Sequence, residues 1–340
     1  MKLPKLNPSA TESQKSLREK VFDLTPVVLT VIATVLAGLS SGELTRSQYY
    51  RSLASQDQSK ASDQWSYFQA KRQRSVEADA ALEMLRVAAL SSMPPGSSSL
   101  VIASQGMLKH PDPQSPDRVI SIDKEIRSLL NQPQIAAAFS NGFKLPSVTD
   151  APIGDASVLA AMTAVDQSQT ELQMAPLVRD IREDQIAAAM LVVQNNLAGF
   201  DAAVQPIGTA IDRLRVLVDQ LSDIAALTAA TDSSPQDIRS ALGAVAEARF
   251  RFSTARYQNE ANYNRLTGQI LEIQVHRASL ESDRHRERSN HFFQGMLVAQ
   301  AGVLIATTSL AVRQRSTFWT LAALAGAAAA ALGGYVYLFQ

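Results

Sequence analysis

Few residues in this 340-residue chain have the type and spacing that chemistry needs. The four histidines are His110, His276, His285 and His291. None has a second ligand at metal-binding spacing with a carboxylate set, so a zinc site is not expected. The sequence has no cysteine, which removes disulfides, thiolate nucleophiles and thiolate metal ligands. Phosphate-cradling glycine loops, nucleophile elbows and metalloprotease helices are also missing, and Gly268 or Gly302 alone carries no such meaning. The residues that could recognise something are Gln64, Trp65, Phe68 and Lys71. At helical spacing Gln64, Phe68 and Lys71 share one side, and Trp65 sits beside Phe68. They could form a peptide or lipid-headgroup site. The preferred reading is packing, with the aromatics closing a helix contact and Lys71 lying over a ring. The run from Glu281 to Arg288 mixes both signs and reads as a solvated helix surface, although its basic members could meet anionic lipid. No enzyme, no cofactor and no metal are expected.

Composition constrains the elements that hold these residues. Hydrophobic residues make up 46% of the chain but aromatics only 6%, and the surplus is Ala, Leu and Val, which favours helix. Lys plus Arg equals Asp plus Glu at 32 each. That balance, without aromatics interleaved in a basic stripe, argues against a nucleic-acid partner. Three uncharged stretches, 24–42, 292–312 and 316–339, are each about the 20 residues that cross a bilayer core as helix. The last two are joined only through Arg313-Gln314-Arg315. The first reads as an uncleaved anchor, because the leader 1–23 carries Glu12, Glu19 and Asp23 and cleavage signals near Ser40 are poor.

Small residues stripe the second span at Gly295, Ala299, Gly302, Ala306 and Ser309, and the third at Ala322, Gly326, Ala330 and Gly334. Such stripes let helix backbones approach closely in lipid. Gln300, near mid-span, is expected to bond a neighbouring helix, with pore lining as the alternative. Phe318, Trp319, Tyr335 and Tyr337 read as interfacial anchors. Basic residues tie at seven on each side. The first span, with five before it and three after it, favours a cytoplasmic N-terminus and an extracytoplasmic central domain.

Between the first two spans, 43–93 lacks a helix breaker up to Leu90 and reads as a stalk helix continuing from the first span. Eight of the chain's 14 prolines lie in 94–154, which predicts loops with short helices at Ile122–Asn131 and Pro133–Phe139. The interval 155–291 reads as a long helical hairpin with its tip at 231–235. Ile186, Val193, Phe200, Ile207, Leu214 and Leu221 recur every seven residues, and Met190, Leu197, Val204, Ile211, Val218 and Ala225 fill the companion position. Pro206 should kink this helix, with Gly208 easing the bend. The second arm starts at Pro235 and runs unbroken into the second span. Its seam passes through polar Asn259, which is expected to fix register. If both stalk helices leave the membrane straight, Trp65 should meet the stretch from Leu266 to Ile273.

The segment Ser62-Asp63-Gln64-Trp65-Ser66-Tyr67-Phe68-Gln69-Ala70-Lys71, with one N-terminal span and a closing pair, resembles the bacterial family called domain of unknown function 4337. The resemblance covers residues 20 to 85 and the terminal pair of spans. It implies a bacterial inner-membrane protein and brings no activity or catalytic residue. The fold class expected is therefore all-α, with three transmembrane helices and a coiled-coil-like hairpin domain inserted between spans one and two. The function expected is an oligomeric membrane scaffold, in contact with lipid, a second copy and a further protein partner. The alternatives are a ligand-sensing bundle and a channel or transport accessory.

Overall fold

The computed structural model describes residues 17–89, 97–109, 116–140, 143–147, 153–227, 235–311 and 315–339. The expected hairpin tip at 231–235 and the link at 313–314 lie outside them, apart from Pro235. Among the described residues the chain is all-α: α1 Leu17–Ala89, α2 Ser97–Lys109, α3 Pro116–Leu130, α4 Pro133–Ala138, α5 Ala156–Asp166, α6 Glu171–Arg179, α7 Glu183–Leu227, α8 Pro235–Ala311 and α9 Arg315–Phe339. Four of these, α1, α7, α8 and α9, contain a stretch long and apolar enough to cross a membrane, one more than the three read from uncharged length. The additional one is α7. Its apolar residues recur so densely that the helix carries few charges over a membrane-crossing length.

The chain divides into two compact units, one made of residues up to Ser55 with Arg277–Gln340, the other of Gln56–His276. In the second unit α7 buries the seam its heptads predict. Ile186, Val193, Phe200, Ile207, Leu214 and Leu221 are all buried. Leu214, Leu217 and Leu221 close a core with Leu100 of α2, Ile126 of α3, and Ile238 and Val245 of α8. Phe200, Val204, Ile207 and Ile211 close a second with Ala138 and Phe252. Gly208 meets the Phe252 ring, whose Cζ would lie 3.1 Å from a β-carbon there, and Asp212 pairs with Arg249 at 3.8 Å. Leu221 shares the first of these cores with Ile238. The helix continues through Pro206, and Gly208 serves the approach of a ring.

Two expectations need correction. Residues 155–182 are not part of one long helix. Asp155 caps α5, and α5 ends where Ser168 takes φ 52° and the Gln169 amide returns to the Ala164 carbonyl at 3.1 Å. Thr170 and Gln173 then form a capping box that restarts the chain as α6. In the proline-rich interval, α3 starts at Pro116, six residues before the expected Ile122. Proline suits the first turn, and Asp117 favours its positive end.

The α5 cap also sets a pH dependence. Asp155 Oδ1 accepts from the Ser157 and Val158 amides at 2.9 and 3.2 Å, and Oδ2 accepts from Gln185 Nε2 at 2.6 Å. The Ser157 hydroxyl, then these amides, hold the carboxyl below its ordinary value. A lowered folded pKa gives stability that is present above the unfolded value of about 3.9 and lost as pH falls through the folded one. Amide exchange at Ser157 and Val158, corrected for intrinsic rate, should therefore rise on acidification below about pH 4. The Asp155→Asn variant should flatten that rise.

Candidate functional site

The segment Ser62–Lys71 lies on α1 within the second unit, and its singled-out residues turn toward α8. Trp65 Nε1 donates to Glu272 Oε1 at 2.7 Å. The indole edge lies against Gly268, where a β-carbon would stand 3.3 Å from Trp65 Cε2. This is the stretch the residue count from the span ends predicts. Phe68 meets Trp65 edge to face, with centroids 5.7 Å apart. Gln64 packs beside Gly268, and its Oε1 is buried without a hydrogen-bond partner. Two turns along, Lys71 forms an ion pair with Glu260, and its Nζ stands 5.4 Å from the Tyr257 ring centre. The aromatic ring under Lys71 is thus Tyr257, on the other helix. Asn259 is buried next to this pair and donates Nδ2 to its own helix at the Ala255 carbonyl, 3.0 Å away.

Beside Trp65 opens a cleft of about 570 Å³, lined by Val165, Asp166, Met174, Glu272 and His276 among others. Its carboxylates are engaged. Asp166 accepts from Gln269 Nε2 at 2.9 Å and from Arg265 at 3.3 Å, and Glu272 accepts from the indole. Among the described residues no group of three His, Asp or Glu side chains is placed to hold a metal. Further along, buried Glu247 is reached by Arg86 of α1 and by Arg251. The side chains on this face are arranged to fasten α1 to α8.

The first unit holds a polar cluster that the sequence reading passed over. Ser40 and Ser289 exchange hydrogen bonds, Ser289 Oγ donating to the Ser40 carbonyl at 2.8 Å and Ser40 Oγ to the Ser289 carbonyl at 3.0 Å. Ser282 Oγ donates to the Ser47 carbonyl at 3.0 Å. Between the two serine pairs, His285 Nδ1 lies 2.5 Å from Glu43 Oε2. Tyr50 stacks on the imidazole at 5.4 Å, and Arg46 reaches Glu43 Oε1 at 3.4 Å. The run from Glu281 to Arg288 is therefore not uniformly a solvated surface. Asp283, Arg284, Arg286 and Glu287 are exposed, whereas Ser282 and His285 face inward. A signal was present. Ala33, Ser40, Ser47, Ala54, Ala61, Phe68, Ser75 and Leu82 recur every seven residues, and all but half-buried Phe68 are buried. A search for large apolar side chains misses a seam built from Ala and Ser.

The apolar helices of this unit pack through small residues. Gly295, Ala299, Gly302, Ala306 and Ser309 are all buried. Gly295 meets Leu36 and Leu332, and Gly302 meets Leu29 and Ala325. On α9 the face differs from the one expected. Ala322 and Gly326 are buried, but Ala330 and Gly334 are exposed, and Ala329 and Gly333 take their places, Ala329 beside Gly295 of α8 and Gly333 against Leu36 of α1. Four-residue steps advance 400° each and drift off a face within three steps, while alternating steps of four and three stay on it. Trp319 turns inward, donating Nε1 to Thr25 Oγ1 at 2.9 Å, whereas Tyr335 and Tyr337 are exposed.

These features define an all-α chain with helices long and apolar enough to span a membrane. Residues 20–111 match the family model described as domain of unknown function (DUF4337). The match takes in most of α1, the Trp65 face and α2. The terminal apolar helices, which the resemblance was read to include, lie beyond it. No curated protein and no solved structure matches the chain.

Proposed function

We propose that this chain is a non-enzymatic, oligomeric membrane scaffold with three spans, 24–42, 292–312 and 316–339, and a helical unit outside the bilayer built on an antiparallel α7–α8 hairpin. The observation that carries it is the seating of Leu29 and Leu36 of α1 against Gly302 and Gly326, and Gly295 and Gly333. Around that dry seam the unit exposes Val27, Val31, Val35, Leu297, Leu304, Leu321 and Leu324, the outward face lipid favours. By contrast α7 exposes Asp201, Asp212, Arg213 and Asp219 around its seam, which suits water. A scaffold role is supported by the Trp65–Glu272, Lys71–Glu260 and Arg86–Glu247 fastenings, which tie polar groups into helix contacts. The membrane is read as a bacterial inner membrane with the N-terminus cytoplasmic. The cleft beside Trp65 favours a ligand-sensing bundle as the second reading; its test is a thermal-shift screen of small polar ligands, in which Trp65→Ala abolishes any shift.

Because the chain has no cysteine, single thiols report topology directly. The protein should resist alkaline carbonate extraction, and an Asp117→Cys variant should react with an impermeant maleimide in intact spheroplasts. Release by carbonate would overturn the spans, and labelling only after permeabilisation would reverse the sidedness.

A further inference from the structure

Gln300 is a polar side chain deep within the apolar stretch of α8. It follows Ala299 of the buried seam by one residue, about 100° around the helix, and is exposed. Phe292 lies about 12 Å away along the axis, so the amide sits near the middle of a bilayer core if α8 spans it. The expected bond to a neighbouring helix of the same chain is not made: Gln300 has no hydrogen-bond partner among the described residues. It lines an open groove of about 480 Å³ with Thr30, Ala33, Thr34 and Ala37 of α1 and Val303 and Leu304 of α8. Thr30 and Thr34 cannot serve it as donors, since their hydroxyls are spent on the Pro26 and Thr30 carbonyls at 2.8 Å each. The α1 wall of the groove is small-sided, and it continues into Gly38 and Gly42, whose outward sides are open.

An unpaired amide in hydrocarbon is costly, and acyl chains offer it nothing. Its own chemistry selects the occupant. A glutamine amide carries both donors and an acceptor, so the amide best matched to it is another glutamine amide at the same depth. A two-fold axis along the membrane normal supplies one, because it brings the same patch of a second copy to the same level. We propose that two copies of this chain pair through the α1–α8 groove, their Gln300 amides exchanging hydrogen bonds at mid-bilayer. This rests on the three-span reading above and names the partner in the oligomer.

The test is energy transfer between full-length copies labelled at Gln340→Cys, donor and acceptor, in phosphatidylcholine vesicles over a range of protein-to-lipid ratios. Parent copies should associate. Gln300→Leu should weaken association about three- to thirtyfold, the range for one interhelical polar contact in lipid. Gln300→Asn, which keeps the amide, should recover part of the loss, and Leu324→Ala on the outward face of α9 should leave association unchanged. A Gln300→Leu variant that pairs as tightly as the parent overturns the proposal. So does a parent that floats with the vesicles yet stays monomeric, including one that associates only when another membrane protein is added. A chain that does not float with the vesicles overturns the span reading itself, and the pairing with it.

Discussion

The Gly326→Val variant is expected to lower the unfolding free energy of the detergent-solubilised protein by about 3 kcal/mol, the upper end of the overpacking range. A β-carbon at Gly326 would overlap the Leu29 side chain, and at Gly333 one would lie 2.6 Å from Leu36 Cδ2. A leucine tip can swing aside where there is space, but Leu29 is buried, held between Gly302 of α8 and Gly326 of α9. In lipid no hydrophobic force compensates for helices pushed apart, because close packing is what holds them. The indole of Trp319, bonded to Thr25 across the same pair of helices, should report the separation by fluorescence. The decisive comparison is with Leu29→Ala, which by itself leaves a cavity costing about 2–5 kcal/mol. The double variant should lose clearly less than the sum of the two, since the added methyls of valine enter the space the leucine vacates. Strict additivity would show that Leu29 and Gly326 do not oppose one another.

Removing the Trp65 side chain should clearly destabilise the second unit. Trp65→Ala is expected to cost about 3 kcal/mol, the lower end of the large-aromatic range because the ring is only half-buried. Trp65→Phe retains the packing on Phe68 and Gly268 and loses only the bond to Glu272, for about 1 kcal/mol. Far-UV circular dichroism during denaturation measures both. A third substitution separates packing from the hydrogen bond. Gly268→Val fills the space under the indole, where even a β-carbon would lie 3.3 Å from the ring. It should therefore displace Trp65 and approach the Trp65→Ala loss with the donor still present. A cost for Gly268→Val as small as that for Trp65→Phe would mean that the ring does not seat on this glycine.

What the sequence reveals on its own depends on whether the information lies within one helix. The α7 seam was legible because Ile186 to Leu221 supplies a large apolar residue every seventh position. The pairing of Trp65 with the Gly268–Glu272 stretch followed from counting, since two helices at equal rise per residue keep their register from a common origin. The α5–α6 break was legible in principle, because Thr170 and Gln173 stand at capping-box spacing in front of Leu172 and Met174. It was missed because the apolar residues on either side of the turn suggest a single helix.

The Glu43–His285 pair belongs to a different category. Its partners are 242 positions apart; Glu43 follows directly on the first apolar stretch, between Gly42 and Leu44, and His285 sits between Arg284 and Arg286 in what resembles an ordinary wet surface. The same holds for Ser40 and Ser289. Nothing in a serine marks it as buried until the opposing helix places another hydroxyl and a backbone carbonyl within reach. Gln300 shows the converse, a polar residue at the centre of an apolar stretch whose direction no periodicity in one helix could assign.

The histidines and carboxylates that opened the question of chemistry are accordingly divided between two levels. The sequence by itself determined that no cysteine, phosphate loop or metal-spaced histidine set is present, and that α1, α8 and α9 carry apolar stretches of membrane length. Those properties depend on composition and on rise per residue, which are local. The tertiary structure decided that His285 faces Glu43, that Ala329 and Gly333 rather than Ala330 and Gly334 lie in the helix contacts of α9, and that Gln300 opens onto the groove beside α1. Each of those is a rotation of one helix about its axis, set by which side chains of distant segments interlock.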